Sequence, residues 1–393
     1  MQNIKRFRAC GRKGRFDLHP FSEVKKKFGF GCMRLPMKDG EVDREEFCRM
    51  VDKFLEEGFN YFDTAHGYLE GKSEVAIRHC LVDRYPRERY LLADKLTAPY
   101  FNSADDVRPF FEKQLEICGV EYFDFYLMHA QSKENFAKFK NCRAYEQAFE
   151  LKAEGKIRHV GLSFHDTADV LEEILTTYPQ VEFVQLQLNY VDWEDAAVQS
   201  KKCYEVATKH GKPVVVMEPV KGGTLVNLPE NAKEVLTSLH GGSVASYAVR
   251  FAADHDNVFM VLSGMSNMEQ MCDNLSYMKD FKPLTDTERE AIGKVCAILT
   301  SLHAIPCTAC RYCTEGCPKH ISIPDLFSCL NAKNIYHDWN ADYYYGEVYT
   351  KHGGRASDCI ACGKCEKVCP QHLKIRELLR DVAREFDHKQ ERT

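Results

Sequence analysis

A (β/α)8 TIM barrel of the α/β class, followed by a small, mainly helical domain, is the architecture that this chain of 393 residues predicts. Three observations carry it. Eight short apolar runs alternate with longer amphipathic stretches over the first three quarters of the sequence. The cysteines change density near residue 300, with nine scattered from Cys10 to Cys296 and nine more between Cys307 and Cys369. The length also exceeds what one hydrophobic core usually supports.

The apolar runs are FGFGCM (28–33), FNYFDTA (59–65), YLLADKL (90–96), FDFYLMHA (123–130), HVGLSF (159–164), VEFVQLQL (181–188), PVVVMEP (213–219) and VFMVLSG (258–264). Most are β-branched or aromatic and are bounded by turn formers, as buried parallel strands should be. Between them, VDREEFCRMVDKFLEEG places Phe47, Met50, Val51, Phe54 and Leu55 on one helical face, with Gly58 as its stop. Ser103 and Thr167 stand at N-cap positions of two further helices. Eight strand–helix units fit a closed barrel better than a doubly wound sheet. A dinucleotide fingerprint is absent, because Arg34 stands where the third glycine after Gly29 and Gly31 should be.

One more helix is expected over 284–302, and 19 residues at 1.5 Å each span about 28 Å. Such a helix is long enough to return the chain to the C-terminal end of the barrel, which predicts that the second domain sits near the mouth. The division is then a basic leader at 1–27, the barrel at 28–282, a linker helix at 283–302 and the cysteine-rich domain at 303–393. The nine Lys and Arg of the leader read as a solvated segment.

Composition narrows the function classes. A net charge of −5 offers no broad footprint for nucleic acid, so no nucleic-acid partner is expected. No stretch reaches 18 uninterrupted apolar residues, so no membrane span is expected. The basic start lacks the apolar run of a secretory signal, and 18 cysteines in so long a chain suggest thiolate-bound metal in a reducing cytoplasm rather than disulfides.

The late cysteines fall in two matching runs, Cys307-x2-Cys310-x2-Cys313-x3-Cys317-Pro318 and Cys359-x2-Cys362-x2-Cys365-x3-Cys369-Pro370. Three thiolates three residues apart on a tight loop suit three corners of an iron–sulfur cube, whereas zinc sites normally use separated pairs. In two-cluster ferredoxins the last cysteine of each run serves the other cluster. The expected sets are Cys307, Cys310, Cys313 with Cys369, and Cys359, Cys362, Cys365 with Cys317, each holding one [4Fe–4S] cluster. Cys329 lies outside the pattern and reads as a core thiol. Helical stretches at IPDLFSCLNAKNIY and LKIRELLRDVAREF resemble the α-helical ferredoxin type.

In the barrel, chemistry is expected at the C-terminal strand ends. Asp63, Lys95 and His129 end three different apolar runs, and Tyr68 follows just beyond the first. Each alone has an ordinary structural reading, as a cap, a solvated amine, a core imidazole or a packing ring. Together they resemble the Asp, Tyr, Lys, His tetrad of the aldo-keto reductases. The family text D-T-A-x-x-Y followed by S-E occurs at Asp63 to Glu74, and GFGCMRLP, GKIRHVGLSF, VQLQLNY, MEPVKGGTL and SGMSNMEQMCDN match at family intervals. With the cysteine runs, the chain looks most like the iron–sulfur-bearing branch of that family.

The resemblance implies reduction of a carbonyl, or oxidation of an alcohol, in a small molecule. Hydride addition builds negative charge on oxygen, and a phenol of ordinary pKa near 10 is a weak acid for it. An ammonium beside the phenol lowers that pKa, so Lys95 is expected to activate Tyr68, Asp63 to hold Lys95, and His129 to orient the substrate oxygen. The resemblance also implies a nicotinamide cofactor facing Ser163, Gln185, Met217, Glu218, the Gly222–Gly223–Leu225 loop, Gly264, Ser266, Gln270 and Asn274. His66, His165, Arg34 and Lys221 are further candidates for substrate contact.

Several positions depart from the family. Ser163 is followed by Phe164 rather than Asn, Met217 replaces the usual stacking aromatic, and Ser266 and Gln270 stand where an Arg would grip the 2′-phosphate. Losing a guanidinium there argues against a preference for NADP. NAD(P)H, or electrons from an external ferredoxin- or flavodoxin-type partner, are both compatible with the chain. A flavin would join two-electron and one-electron chemistry, although no flavin motif is recognisable. The alternatives are clusters that only brace the fold, and an electron carrier or redox sensor whose barrel binds a partner or effector without turnover. A binding module has no need of a lysine beside a phenol.

Overall fold

The computed structural model describes residues 20–302, 305–307, 309–369 and 371–387. Eight parallel strands close into a barrel: β1 (Phe28–Gly31), β2 (Tyr61–Asp63), β3 (Leu91–Leu96), β4 (Phe123–Gln131), β5 (Ile157–Phe164), β6 (Phe183–Gln187), β7 (Val214–Met217) and β8 (Val258–Ser263). Each pairs with its neighbours in chain order, and β8 returns to β1 through Phe28↔Val261 and Phe30↔Ser263. Every apolar run named above falls on one strand, with β4 extending one residue past its run to Gln131 and β5 starting two residues earlier at Ile157.

Inside the barrel, Tyr61, Phe125, Phe183, Val215, Phe259 and Met260 form the buried filling. Gly161 leaves room for it, since a Cβ there would lie 2.4 Å from the Phe183 ring. Phe21 closes the lower end, with its ring centroid 5.3 Å from that of Phe125 and 4.9 Å from that of Phe259. This corrects the reading of 1–27 as a solvated leader. Residues 1–19 lie outside the described residues, but Phe21 and Val24 are buried barrel plugs.

The outer layer is helical. Helix α1 (Arg44–Glu56) buries the five apolar residues expected of it, and Asp43 caps it through the Glu46 amide. Next come α2 (Lys72–Ile77) and α3 (Ala104–Cys118), the latter with Ser103 and Asp106 in a reciprocal capping box and Gly119 at φ +72 as its stop. Further round, α4 (Ala168–Thr177) starts after Thr167, and α5 (Met268–Met278) follows β8. A two-stranded ladder, Met37–Lys38 with Glu41–Val42, was not legible in the apolar runs. Its turn is Asp39–Gly40, both at positive φ, as a tight hairpin requires.

The linker is α6 (Asp286–Ser301), opened by a Thr285/Glu288 capping box. It leads into a second core built around α7 (Ile323–Tyr336) and α8 (Ile375–Phe386). Among the described residues of this part, β structure is confined to the bridge Ile321↔Gly354, so the helical ferredoxin type holds. Barrel residues Ala197 and Val198 are buried in this second core. Ser328 Oγ donates to Asp195 at 2.6 Å, Thr224 Oγ1 donates to the Tyr336 carbonyl at 3.0 Å, and the Tyr349 hydroxyl donates to the Ala197 carbonyl. Among the described residues no helix is long and apolar enough to cross a membrane.

Candidate active site and cysteine cavities

Parallel strands bring their C-terminal ends to one face, and there β2, β3 and β4 deliver Asp63, Lys95 and His129. The Lys95 ammonium is fully buried and donates to Asp63 Oδ1 at 2.6 Å and to the Thr64 carbonyl at 2.6 Å. It also lies 5.0 Å from the centre of the Tyr68 ring. Burial alone would lower the Lys95 pKa, but Asp63, Tyr68 and Asp94 outweigh it and hold the group charged above its ordinary value. The Tyr68 ring meets His129 edge-on at 6.0 Å, and His129 Nδ1 is 2.7 Å from Thr97 Oγ1. The four side chains converge as the sequence reading requires.

The expected direction of the Tyr68 shift does not hold. Burial raises its phenol, and the pull of Lys95 opposes that rise without reversing it. The phenol is therefore held protonated rather than made acidic outright. Burial also pushes the His129 imidazole far below its usual value, with Lys95 and His165 adding to the effect, so the ring is neutral at physiological pH.

Asp63, Tyr68 and His129 open onto a cavity of about 620 Å³. Gln185, Met217, Glu218, Gly222, Gly223, Gly264, Ser266, Gln270 and Asn274 line the same cavity, as expected. Ser163 and Leu225 do not. Ser163 Oγ instead accepts the Ala130 amide at 2.8 Å, behind the bulge that follows His129, and Leu225 is fully buried in the barrel core. Asn274 is turned to Ser263 Oγ at 2.8 Å, and Gln270 Oε1 accepts the Ser266 amide at 2.8 Å. Gln185 Oε1 and Asp63 Oδ2 are buried at the cavity without a hydrogen-bond partner among the described residues.

Of the four further candidates, Arg34 and His165 line the cavity. His66 is drawn off to Glu74 at 2.6 Å. Lys221 is buried between Asp192 at 2.8 Å and Asp338 at 2.5 Å, where it ties the barrel to the second domain. The sequence reading missed Trp339, Asn340 and Tyr343, which reach over the mouth from the second domain and line the same cavity. The aromatic run DWNADYY was the available signal, but only the docking of the two halves reveals what it covers.

The cysteines gather in the crossed sets. Cys307, Cys310, Cys313 and Cys369 line one small cavity, and Cys317, Cys359, Cys362 and Cys365 line another. None of the eight is joined in a disulfide. Four convergent sulfurs in an otherwise mostly apolar setting suit a [4Fe–4S] cluster at each. Cys329 of α7 is buried in the second core, as expected.

The comparisons agree with this layout. The profile of the Aldo/keto reductase family matches residues 27–296, and that of a 4Fe-4S dicluster domain matches 306–373. A NADH-specific methylglyoxal reductase of Escherichia coli (strain K12) is 29% identical over 210 residues, 48% of this chain and 61% of that protein, so this chain spans less than two thirds of its relative. An aldo-keto reductase of Bacillus halodurans in its holo form superposes with a TM-score of 0.55 at 24% identity, covering 69% of this chain and 92% of its own. One from Klebsiella pneumoniae in complex with NADPH gives 0.56 at 19% identity, covering 68% and 90%. These two share the fold. With a family match across the whole barrel and a tetrad converging at its mouth, the chain belongs to the aldo/keto reductase family of oxidoreductases and carries a 4Fe-4S dicluster domain at its C-terminal end.

Proposed function

We propose that this chain reduces a small-molecule carbonyl to the alcohol, or runs the reverse, at Tyr68, Lys95, Asp63 and His129. Cys307, Cys310, Cys313 and Cys369, and Cys317, Cys359, Cys362 and Cys365, would each hold one [4Fe–4S] cluster, which would supply one-electron exchange with the barrel or with a ferredoxin- or flavodoxin-type partner. The observation that carries this reading is one cavity lined both by Asp63, Tyr68 and His129 and by Trp339, Asn340 and Tyr343 of the dicluster domain. A carrier or sensor without turnover gives no reason for a buried ammonium beside a phenol.

Reduction of a carbonyl consumes two electrons and two protons. Reduced nicotinamide, where bound, supplies two electrons and one hydrogen as hydride, and the clusters pass electrons singly. The remaining work falls to the side chains. Neutral His129 offers an uncharged hydrogen-bonding partner to the substrate oxygen. Tyr68, protonated at rest, gives its hydroxyl proton to that oxygen as charge develops there. Lys95, 5.0 Å from the ring centre, stabilises the resulting phenolate, and Asp63 fixes the ammonium. Positioned proton transfer of this kind contributes about 10²–10⁴-fold. Gln185 Oε1, buried without a partner among the described residues, is an acceptor suited to the carboxamide N–H of a nicotinamide.

Tyr68→Phe should lower carbonyl reduction by about 10²–10⁴-fold while leaving thermal melting within a few degrees of the parent. Retention of full turnover would remove the tetrad assignment. Anaerobic addition of NADH and of NADPH to the iron-loaded protein tests the coupling. Bleaching of the cluster absorbance links the two halves, and nucleotide binding without bleaching separates them.

A further inference from the structure

The two cysteine sets have unlike surroundings. Cys307 borders its own small cavity and also a larger one of about 470 Å³ at the junction of the domains, which Asp192, Asp195 and Lys221 of the barrel line as well. Among the described residues, no cysteine of the other set borders that junction. The Cys307 set thus has a side turned to the barrel. Arg311, which lines its small cavity, is neutralised by Asp325 through bonds of 2.9 and 2.7 Å.

The cavity of Cys317, Cys359, Cys362 and Cys365 is lined by Lys319, Lys364 and Arg376 and, among the described residues, by no carboxylate. Arg376 is held by Glu366, with Nη2 to Oε2 at 2.7 Å. Lys319, Lys364 and Lys367 are exposed and form no ion pair among the described residues. Lys364 and Lys367 stand three apart on one helical turn, and so on one side of it. Beside them Ile360 is 58% exposed and Val368 50% exposed, and Cys362 itself reaches the surface. An apolar centre with a charged rim is the anatomy of a protein–protein interface.

We propose that this surface, centred on Ile360 and Val368 and rimmed by Lys319, Lys364 and Lys367, docks a small acidic one-electron carrier protein. The Cys359 side is then the port, and the Cys307 side passes charge on toward the barrel. Electron tunnelling falls steeply with distance, so a carrier must settle close to an exposed thiolate, and Cys362 is one. The chain carries a net charge of −5. An acidic protein is therefore repelled by the molecule at large and turned toward this basic face, which sets both its orientation and its encounter rate. Each encounter moves one electron from the reduced carrier to the cluster of this set, or back. No bond or proton changes at the port, and one carbonyl draws on two encounters. The inference rests on the cluster reading above and is independent of nicotinamide.

The test is stopped-flow mixing of the anaerobic, iron-loaded full chain with a reduced, acidic flavodoxin, read as loss of cluster absorbance without substrate. The second-order rate should fall about tenfold or more between about 0.02 M and about 0.5 M salt. The double variant Lys364→Glu/Lys367→Glu should lose a similar factor at low salt, and its rate should no longer fall as salt is added. Ile360→Thr should lower the rate by a smaller factor. Iron content equal to the parent, and equal bleaching by dithionite, show that each variant keeps its clusters. A rate indifferent to salt and to the double variant overturns the docking face and leaves the clusters in place. A rate lowered by Tyr312→Ala, beside exposed Cys310, and not by the lysine changes overturns it in favour of entry at the other set. Failure of the flavodoxin to reduce clusters that dithionite reduces overturns it too. A parent protein that assembles no iron sinks the cluster reading, and the docking face with it.

Discussion

Asp94 and Lys95 are consecutive in β3 and both wholly buried, yet they solve burial in opposite ways. Successive strand residues point to opposite faces. Lys95 points to the barrel mouth and meets the carboxylate of Asp63 at 2.6 Å. Asp94 points to the helical layer and meets another acid, Glu74 of α2, with Cys118 of α3 beside them; their ligating atoms lie within 4.8 Å of one another. Burial raises the pKa of Asp94, and the neighbouring Glu74 raises it further; Glu74 is itself raised, chiefly by burial. The inner pair keeps its charges because they are opposite, and the outer pair keeps a proton because its charges would be alike. The lesson is that depth alone does not set ionisation. The sign of the nearest partner does.

Breaking the inner pair should have the largest effect. Asp63→Asn leaves the buried ammonium facing only neutral acceptors, the new amide oxygen and the Thr64 carbonyl, and losing one member of a buried ion pair typically costs about 3–5 kcal/mol. Lys95→Met removes the charge beside Tyr68 and should lower turnover by about 10²–10⁴-fold. Urea unfolding and steady-state kinetics on the two variants separate these losses. An Asp63→Asn protein as stable as the parent would mean that the ammonium finds another partner, and the contrast with Asp94 would lose its basis.

The outer pair should respond with the opposite sign. A carboxyl whose folded pKa lies above its unfolded value near 3.8 binds the proton more tightly when folded. Its stabilising contribution is therefore present at low pH and is lost as pH rises through the folded value. Asp94→Asn keeps the shape, donates to Glu74 and has no proton to lose. The stability of the variant relative to the parent should grow between pH 5.5 and pH 8.5, with carbonyl reduction within a few-fold of the parent. Denaturant melts at the two pH values measure this. A constant difference would show that the pair does not share a proton.

These two pairs also show what the chain made legible. The strand ends were readable because three of the apolar runs carry a titratable residue within their last three positions, so Asp63, Lys95 and His129 were found from periodicity and family text. The cysteine sets were readable because their spacing forces three sulfurs onto one loop. Asp94 was passed over within YLLADKL, where an acid in a buried run looks like an interruption, and its partner Glu74 is 20 positions away on a helix. The sign of the Tyr68 shift failed for a similar reason: spacing supplies the neighbouring lysine, but only packing supplies the burial that outweighs it. Trp339, Asn340 and Tyr343 depended on docking of one domain on another, which no local pattern encodes.

The smallest expected effect lies one bond further out. Tyr126 of β4 donates to Gln114 Oε1 at 2.5 Å, and Gln114 Nε2 in turn donates to Glu74 Oε1 at 3.2 Å and to the Lys95 carbonyl at 3.1 Å. The tyrosine thus orients the amide that touches both the outer acid and the backbone of the inner lysine. Tyr126→Phe leaves the ring in its stack with Phe123 and removes only the hydroxyl. An ordinary hydrogen bond contributes about 0.5–1.5 kcal/mol, and stability should fall by that amount. Turnover should not change, because Lys95 is held at its ammonium by Asp63 and not through its carbonyl. A drop in turnover approaching that of Lys95→Met would show that the outer network positions the inner charge, and that the two faces of β3 act as one unit.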